Sequence, residues 1–228
     1  MQLIIANKLY SSWSMRPWLV LRAAGLDFSE TVIPLRQPDT GAKIREYSPS
    51  GKVPVLIDGD VVIWESLAII SFLADRFPEK GIWPQGEAAR ACAKAISMEM
   101  HGGFQALRQA CPMNLGKRFA PRDLGEKVAA DVARIEAIFS DTRKRFSASG
   151  PFLFGDSFTA ADAMFAPIVT RLETYQIPVQ SETRTYMDAI QSHPAFQRWT
   201  SEALREAWHI PEFEIGHEPV ADLREPPA

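Results

Sequence analysis

The sequence predicts a small mixed α/β domain followed by an all-helical domain. Strand-like runs occur only in the first third of the chain. A segment with two prolines and two glycines then interrupts both the strand and the helix periodicity at residues 77–86. Only helical spacing follows it. We therefore place the α/β domain at residues 1–77, a linker at 78–86, the helical domain at 87–210 and a C-terminal extension at 211–228.

The first strand and the first helix are located by apolar runs and helix-end signals. Residues 3–7 form a short, nearly all-apolar run, which is typical of a strand buried on both faces. Residues 15–24 have helical spacing and end at Gly25, a residue type common just past a helix C-terminus. Pro17 limits the start of this helix, because proline lacks an N–H and is tolerated only in the first turn. The helix is therefore expected to begin near Ser14.

The remaining elements of the α/β domain follow from a crossover and a hairpin. A second strand at residues 31–35 would be reached from the first helix by a right-handed crossover. An Asp-Gly pair separates two β-rich runs, 53–57 and 61–64, which indicates a hairpin. A helix comes next, with Ser66 as its expected N-cap. The order β-α-β, an irregular segment, then β-β-α gives one parallel crossover and one antiparallel hairpin in a single sheet.

The second half of the chain contains helical patterns and no convincing strand. Thr159 and Asp162 have the spacing of a capping box ahead of an apolar run, so Asp162 is expected to fix a buried helix start. The acidic, proline-containing end of the chain is expected to be a surface extension. The expected helices span residues 88–110, 123–146, 160–175, 184–190 and 194–207.

Composition excludes several classes of function. The formal charge is −3 and the 25 Lys and Arg residues are scattered, so the concentrated basic surface that nucleic-acid binding needs is absent. No run of 18 apolar residues and no secretory signal is present, so neither a membrane span nor export is expected. The two cysteines lack CxxC spacing, which favours a reducing, cytoplasmic location. The four histidines lack ligand spacing, so no metal is expected.

Two adjacent serines, Ser11 and Ser12, precede the first helix. A helix start offers unpaired N–H donors and about half a positive charge, so it favours an anion. A hydroxyl at this point can donate a hydrogen bond to a thiolate and lower the pKa of the thiol from roughly 8.5. The alternative is that these serines only cap the helix.

Two further features could hold a peptide-like ligand with a charged amino-acid end. A cis bond between Val53 and Pro54 would turn the N–H and C=O of Val53 outward, where they could pair with such a ligand as an added strand does; a trans proline at a strand start is the alternative. Glu65 could bind an ammonium group, and Ser66 with the helix start could bind a carboxylate. A plain capping pair is the alternative for these two residues.

Taken in order and spacing, these motifs resemble the glutathione transferase superfamily, in particular its serine-type, zeta-like and related bacterial classes. The resemblance covers roughly residues 2–210 and includes Phe158 to Asp162, which match the capping motif of the family's core helix. It implies a thioredoxin-like N-terminal domain and a helical domain that contributes the acceptor pocket. It also implies glutathione as co-substrate without a metal, a small electrophilic or hydrophobic acceptor, and a symmetric homodimer.

The resemblance assigns a thiolate-stabilising hydroxyl to Ser11, with Ser12 as the close alternative. Trp13 stands where zeta-like enzymes have a cysteine, and Pro17 and Trp18 follow Arg16 instead of an arginine-rich helix start. These departures weaken the expectation of maleylacetoacetate isomerisation. The large indole of Trp13 indicates a differently shaped acceptor pocket.

The resemblance also distributes glutathione over the first domain. The backbone of Val53, ahead of Pro54, would bind the cysteinyl part. Lys52 would reach the glycyl carboxylate, with Gln37 as a weaker candidate for the same end. The γ-glutamyl end would lie at the next helix start, on Glu65 and Ser66.

The acceptor is expected between the two domains. Helical spacing within residues 88–110 places four of the candidates on approximately one face, and Arg108 could meet an acidic acceptor. The alternative is that the arginines lie on solvated faces and the apolar side chains in the core. The candidates are Trp13, Met98, His101, Gln105, Arg108, Arg171 and Tyr175.

The predicted function is transfer of glutathione to a small electrophile, with a serine hydroxyl acting as a hydrogen-bond donor and not as a nucleophile. A non-catalytic glutathione-binding or interaction protein of the same fold is one alternative, and a glutathione-dependent isomerase or reductase is another. A cysteine-dependent thiol–disulfide oxidoreductase ranks last, because both cysteines lie in the helical half and none stands at the N-terminal helix start.

Overall fold

The computed structural model describes residues 1–147, 150–214 and 216–224. Its first part confirms the expected α/β class, with a four-stranded sheet in the order β2-β1-β3-β4. β1 runs parallel to β2 and antiparallel to β3, and β3 forms the hairpin with β4. The elements are β1 Gln2–Ile5, α1 Ser12–Ala23, β2 Ser29–Val32, α2 Thr40–Arg45, β3 Val55–Asp58, β4 Val61–Trp64 and α3 Ser66–Arg76.

The second part confirms the helical class. Among the described residues, no helix is both long and apolar enough to span a bilayer. The expected extension beyond residue 224 lies outside the described residues. The elements are α4 Glu87–Gly102, α5 Gln105–Ala110, β5 Lys117–Arg118, α6 Glu126–Phe146, α7 Ala160–Thr174, α8 Ser181–Ser192, α9 Pro194–Leu204 and β6 Ala221–Asp222.

Two central helices, α1 and α7, carry the core. Both are buried along most of their length, as expected for helices that are apolar nearly all round. α1 packs against α3 in its own domain and against α7 and α9 in the helical domain. The start of α1 is therefore held by both domains.

The expected start of α1 near Ser14 is wrong, because the helix begins at Ser12 and Pro17 lies inside it. Ser11 is the N-cap, and its side-chain oxygen accepts a hydrogen bond from the Ser14 N–H. Pro17 cannot donate to the carbonyl of Trp13, four residues earlier. Packing of the buried residues around the proline outweighs this lost bond.

The expected helix at residues 88–110 is also wrong, because it is divided into α4 and α5. Gly103 approaches the end of α4 so closely that a Cβ would lie 2.6 Å from the carbonyl oxygen of Glu99. Phe104 has a φ of 58°, in the left-handed region, and its side chain is buried. Burial of this ring stabilises a turn that helical spacing does not reveal.

The bounds of β1, β2 and β3 differ from the predicted ones by one to three residues, whereas β4 lies where it was predicted. β2 ends at Val32 and does not reach 35, since its register is fixed by pairing with β1 and Pro34 cannot donate to a ladder. β3 begins at Val55 because Pro54 precedes it. The expected absence of strands after the linker is wrong: β5 and β6 pair antiparallel, so the described part of the C-terminal extension is tied to the helical domain.

Candidate active site

The N-terminus of α1 forms one edge of the candidate site. The Ser11 hydroxyl donates to the Ser14 Oγ over 2.8 Å, and this oxygen also accepts the Ala6 N–H. Ser11 and Ser12 are each 8% exposed, so both lie at the surface of a largely buried turn. The helix start thus orients the Ser11 oxygen. The Ser11 hydroxyl can donate its hydrogen bond to a bound anion in place of the Ser14 Oγ.

The segment before β3 supplies a stretch of backbone that the sheet does not use. The Val53–Pro54 peptide bond is cis. Val53 precedes the first ladder residue, Val55, so its backbone groups are not used by the sheet. Lys52 is exposed on the preceding turn, where its N–H donates to the Ser48 Oγ.

The N-terminus of α3 has two unusual features. Glu65 is the N-cap and has a φ of 70°, a left-handed conformation that costs a non-glycine residue of order 1–3 kcal/mol. The expected N-cap, Ser66, is instead the first helical residue. Its side chain is fully buried, and its Oγ has no hydrogen-bond partner among the described residues. Strained backbone next to an unsatisfied hydroxyl is typical of a ligand site.

Trp13 connects α1 to the helical domain. Its ring meets the His101 ring edge-on at 5.1 Å. The Arg16 guanidinium lies 4.2 Å from the indole centroid and that of Arg108 lies 5.2 Å from it. The His101 Nε2 is 3.9 Å from a carboxylate oxygen of Glu65, so the starts of α1 and α3 face the same end of α4.

The start of α1 meets the helical domain at three arginines, Arg16, Arg108 and Arg171, which we call the cationic seam. Arg16 is the most unusual of them, and it was not among the site residues predicted from the sequence. It is fully buried, and none of its three side-chain nitrogens has a hydrogen-bond partner among the described residues. Burial, and then the neighbouring charges of Arg108 and Arg171, lower its pKa. The guanidinium nevertheless stays protonated, because arginine is not deprotonated in proteins. The seam therefore contains a buried positive charge that favours a nearby anion.

Arg108 reaches the seam by a route that helical spacing did not predict. Its guanidinium turns back to donate to the carbonyls of Met100 and His101, across the break between α4 and α5. The same break separates Gln105 from the expected shared face. Gln105 is exposed and donates to Gly102.

The remaining candidates are distributed unevenly. Arg171 is buried and donates to the carbonyls of Cys111 and Pro167, and burial lowers its pKa to about 10. The Tyr175 hydroxyl donates to the Pro112 carbonyl. Both residues therefore support the chain after α5. Met98 is 62% exposed, and Gln37 is exposed beyond β2.

These groups can bind an anion at each of two helix starts and leave a cationic seam between them. The described residues contain no group of three or more His, Cys, Asp or Glu side chains that could hold a metal ion. The signal for Arg16 in the sequence is its place in the first helix, five residues after Ser11. Sequence alone could not show that it is buried without a hydrogen-bond partner among the described residues.

Comparison with known families and proteins gives a consistent result. Residues 10–76 match the family described as glutathione S-transferase, N-terminal domain, and residues 115–201 match glutathione S-transferase, C-terminal domain. The chain is 31% identical over 201 residues to glutathione S-transferase Z2 of Arabidopsis thaliana, covering 83% of this chain and 88% of the relative. It is 29% identical over 173 residues to a probable maleylacetoacetate isomerase of Caenorhabditis elegans, covering 71% and 76%.

Solved structures show the same fold. A glutathione transferase homolog from Burkholderia, crystallised with bound glutathione, superposes with a TM-score of 0.68 at 21% identity, covering 89% of this chain and 97% of that one. Maleyl pyruvate isomerase, a bacterial zeta-class protein, superposes with a TM-score of 0.65 at 20% identity, covering 89% and 98%.

Proposed function

This chain belongs to the glutathione S-transferase family, and we propose that it binds glutathione across the starts of α1 and α3 and stabilises the thiolate with the Ser11 hydroxyl. The observation that carries the proposal is the buried Ser66 hydroxyl without a partner among the described residues, beside the left-handed Glu65. A buried hydroxyl in this state is expected to meet a ligand group. The γ-glutamyl carboxylate is of the right charge for a helix start.

With the γ-glutamyl end bound at the start of α3, the positions of the other parts of glutathione follow. The Val53 backbone pairs with the cysteinyl unit, which directs the sulfur to the start of α1. Lys52, and more weakly Gln37, meets the glycyl carboxylate from the exposed side. Glu65 binds the ammonium group.

The chemistry requires a thiolate at neutral pH. Ser11 exchanges its hydrogen bond to Ser14 for one to the sulfur, and the helix start with the buried Arg16 charge supplies a positive potential. The thiol proton leaves to solvent, and the sulfur forms a bond to the electrophilic carbon of an acceptor placed near Trp13. In a substitution the bond from that carbon to its leaving group breaks and the group departs as an anion; in a conjugate addition the π pair moves onto the acceptor, which then takes up a proton from solvent. Orientation and electrostatics supply the rate enhancement, and no covalent enzyme intermediate is needed.

The test is to measure the pKa of the thiol of bound glutathione in the wild type, Ser11→Ala and Ser12→Ala. Thiolate absorbance recorded as a function of pH gives this pKa. The wild-type pKa should lie at least about one unit below that of free glutathione, equivalent to about 1.4 kcal/mol. Ser11→Ala should raise it, with Ser12→Ala as the matched control. A wild-type value equal to that of free glutathione contradicts the proposal, and a shift only in Ser12→Ala transfers the role to Ser12.

A second candidate is glutathione-dependent isomerisation of an acidic substrate. The cationic seam of Arg16, Arg108 and Arg171 favours a carboxylate-bearing acceptor, and several relatives are named maleylacetoacetate isomerases. The two reactions differ in stoichiometry. Cis-to-trans conversion of an unsaturated diacid without loss of free thiol identifies the isomerase, whereas one thiol lost per acceptor identifies the transferase.

We also propose that the protein is a homodimer in the cytoplasm. β4 is an edge strand with three exposed apolar side chains, Val61, Val62 and Trp64, and Met98 is exposed on α4. Such a patch on a sheet edge is a typical contact surface. Both cysteines are free, which is consistent with a reducing compartment. Native mass spectrometry should show twice 25.5 kDa; a monomer alone contradicts the dimer.

A further inference from the structure

The loop that leads into Ser11 is held from the other domain, by helix α9 and the residues that follow it. Glu206 accepts two consecutive backbone amides: its Oε1 accepts the Lys8 N–H over 2.7 Å, and its Oε2 accepts the Leu9 N–H over 3.1 Å. The Lys8 carbonyl accepts the Trp199 indole N–H over 3.0 Å. Three consecutive backbone groups of this loop therefore depend on one short segment almost two hundred residues away.

The Lys8 side chain strengthens the same attachment. Its ammonium pairs with Glu202 on α9 and with Glu30 on β2, and only 4% of the side chain is exposed. The rings of Trp18 and Trp199 lie 5.1 Å and 5.7 Å from the ammonium. A charge that is both paired and held between aromatic rings has little freedom to move.

The attachment continues along the loop to Ser11. The Leu9 carbonyl accepts the Leu115 N–H over 3.2 Å, so a second segment of the helical domain also holds the loop. The Ser11 N–H donates to the Asn7 carbonyl over 2.8 Å, which closes a turn across residues 8–10. Moving residues 8 and 9 therefore moves the N-cap of α1.

We propose that Glu206 is a positioning residue for the thiolate site: by holding the Lys8 and Leu9 amides it fixes the turn that aims the Ser11 hydroxyl. This inference rests on the proposed thiolate role of the serines. Displacement of a catalytic group by about 1 Å can lower a rate about 100-fold, so support of this kind affects catalysis without contact with the substrate.

The experiment compares Glu206→Ala with a matched control, Glu136→Ala. Glu136 also accepts a backbone amide, that of Gln180, over 2.7 Å, but at the corner of α6 and α8. Glu206→Ala loses two carboxylate-to-amide bonds and Glu136→Ala loses one exposed bond, so both should lose thermal stability and Glu206→Ala should lose more. Only Glu206→Ala should raise the pKa of the thiol of bound glutathione. It should also lower kcat by about 10-fold while KM for glutathione stays within about two-fold of the wild-type value.

Two further measurements separate this inference from the function on which it rests. Amide hydrogen exchange in the peptide spanning residues 7–15 should accelerate in Glu206→Ala and not in Glu136→Ala. Glu206→Gln, which keeps one acceptor oxygen, should restore part of kcat. Unchanged exchange, or equal shifts of thiol pKa in both alanine variants, overturns the positioning role. A wild-type thiol pKa equal to that of free glutathione overturns the proposed function instead, whatever the exchange shows.

Discussion

The helix starts of α7 and α3 both contain a buried polar side chain, but the one at α7 is fully hydrogen-bonded and the one at α3 is not. At α7, the Asp162 carboxylate accepts four hydrogen bonds, from two backbone amides and two hydroxyls, so the expected buried capping role of Asp162 is confirmed. At α3, the Ser66 hydroxyl has no partner among the described residues, and Glu65 is held at a positive φ. Burial alone therefore does not distinguish the two sites.

The difference indicates what each start is for. A buried carboxylate whose oxygens are all hydrogen-bonded stabilises a single packed arrangement of the core. An unbonded buried hydroxyl next to strained backbone reduces the stability of the fold and gains its partner only when a ligand binds. The start of α1 lies between these cases, since Ser11 is bonded to Ser14 while the Arg16 guanidinium, one turn further along, has no hydrogen bond within the described part of the chain.

The largest effect on stability is expected for Asp162→Ala. The change leaves the amides of Leu153 and Thr159 and the hydroxyls of Thr159 and Tyr186 without their acceptor in the core. At about 1–3 kcal/mol for each buried unsatisfied donor, the free energy of unfolding should fall by about 3 kcal/mol or more. Urea unfolding measures this loss. Asp162→Asn, which keeps one acceptor oxygen, should lose less, and a loss below about 1 kcal/mol in the alanine variant would show that the cap is dispensable.

A smaller effect, on activity and not on stability, is expected for Arg16→Met. Methionine fills a similar space and can still pack on the Trp13 ring, and it removes a buried charge whose nitrogens have no hydrogen-bond partner among the residues described, so the free energy of unfolding should stay the same or rise. The pKa of the bound thiol should rise, and kcat/KM should fall about 10-fold, which corresponds to about 1.4 kcal/mol. Thermal melts and steady-state kinetics on the same preparation test both parts. A large loss of stability with unchanged kcat/KM would make Arg16 a structural residue.

Local signals in the sequence were sufficient for much of the fold. The Asp-Gly pair located the hairpin of β3 and β4, and the spacing of Thr159 and Asp162 located the start of α7. Both features depend on residues a few positions apart. The three N-terminal motifs are equally local, and they supplied the residues from which the proposed glutathione site is built.

Other features depend on contacts that are distant in sequence and could not be predicted. The start of α1 at Ser12 despite Pro17 depends on packing of the buried residues around the proline, and the turn that ends the helical run depends on burial of the Phe104 ring. The pairing of β5 with β6 joins segments about a hundred residues apart. The lack of hydrogen bonds to the Arg16 guanidinium among the described residues depends on several helices packing together. So does the hydrogen bond from the Lys8 amide to Glu206.

The most direct test of the account is to measure glutathione binding and thermal stability together in the wild type and in Ser66→Ala. If the Ser66 hydroxyl is reserved for the ligand, the alanine variant should melt at the same temperature as the wild type or higher. Calorimetric titration should show glutathione binding weakened by roughly 10- to 100-fold, the value of a hydrogen bond to a charged group. Equal affinity in the two proteins, or a clear loss of stability in the variant, would contradict the central claim.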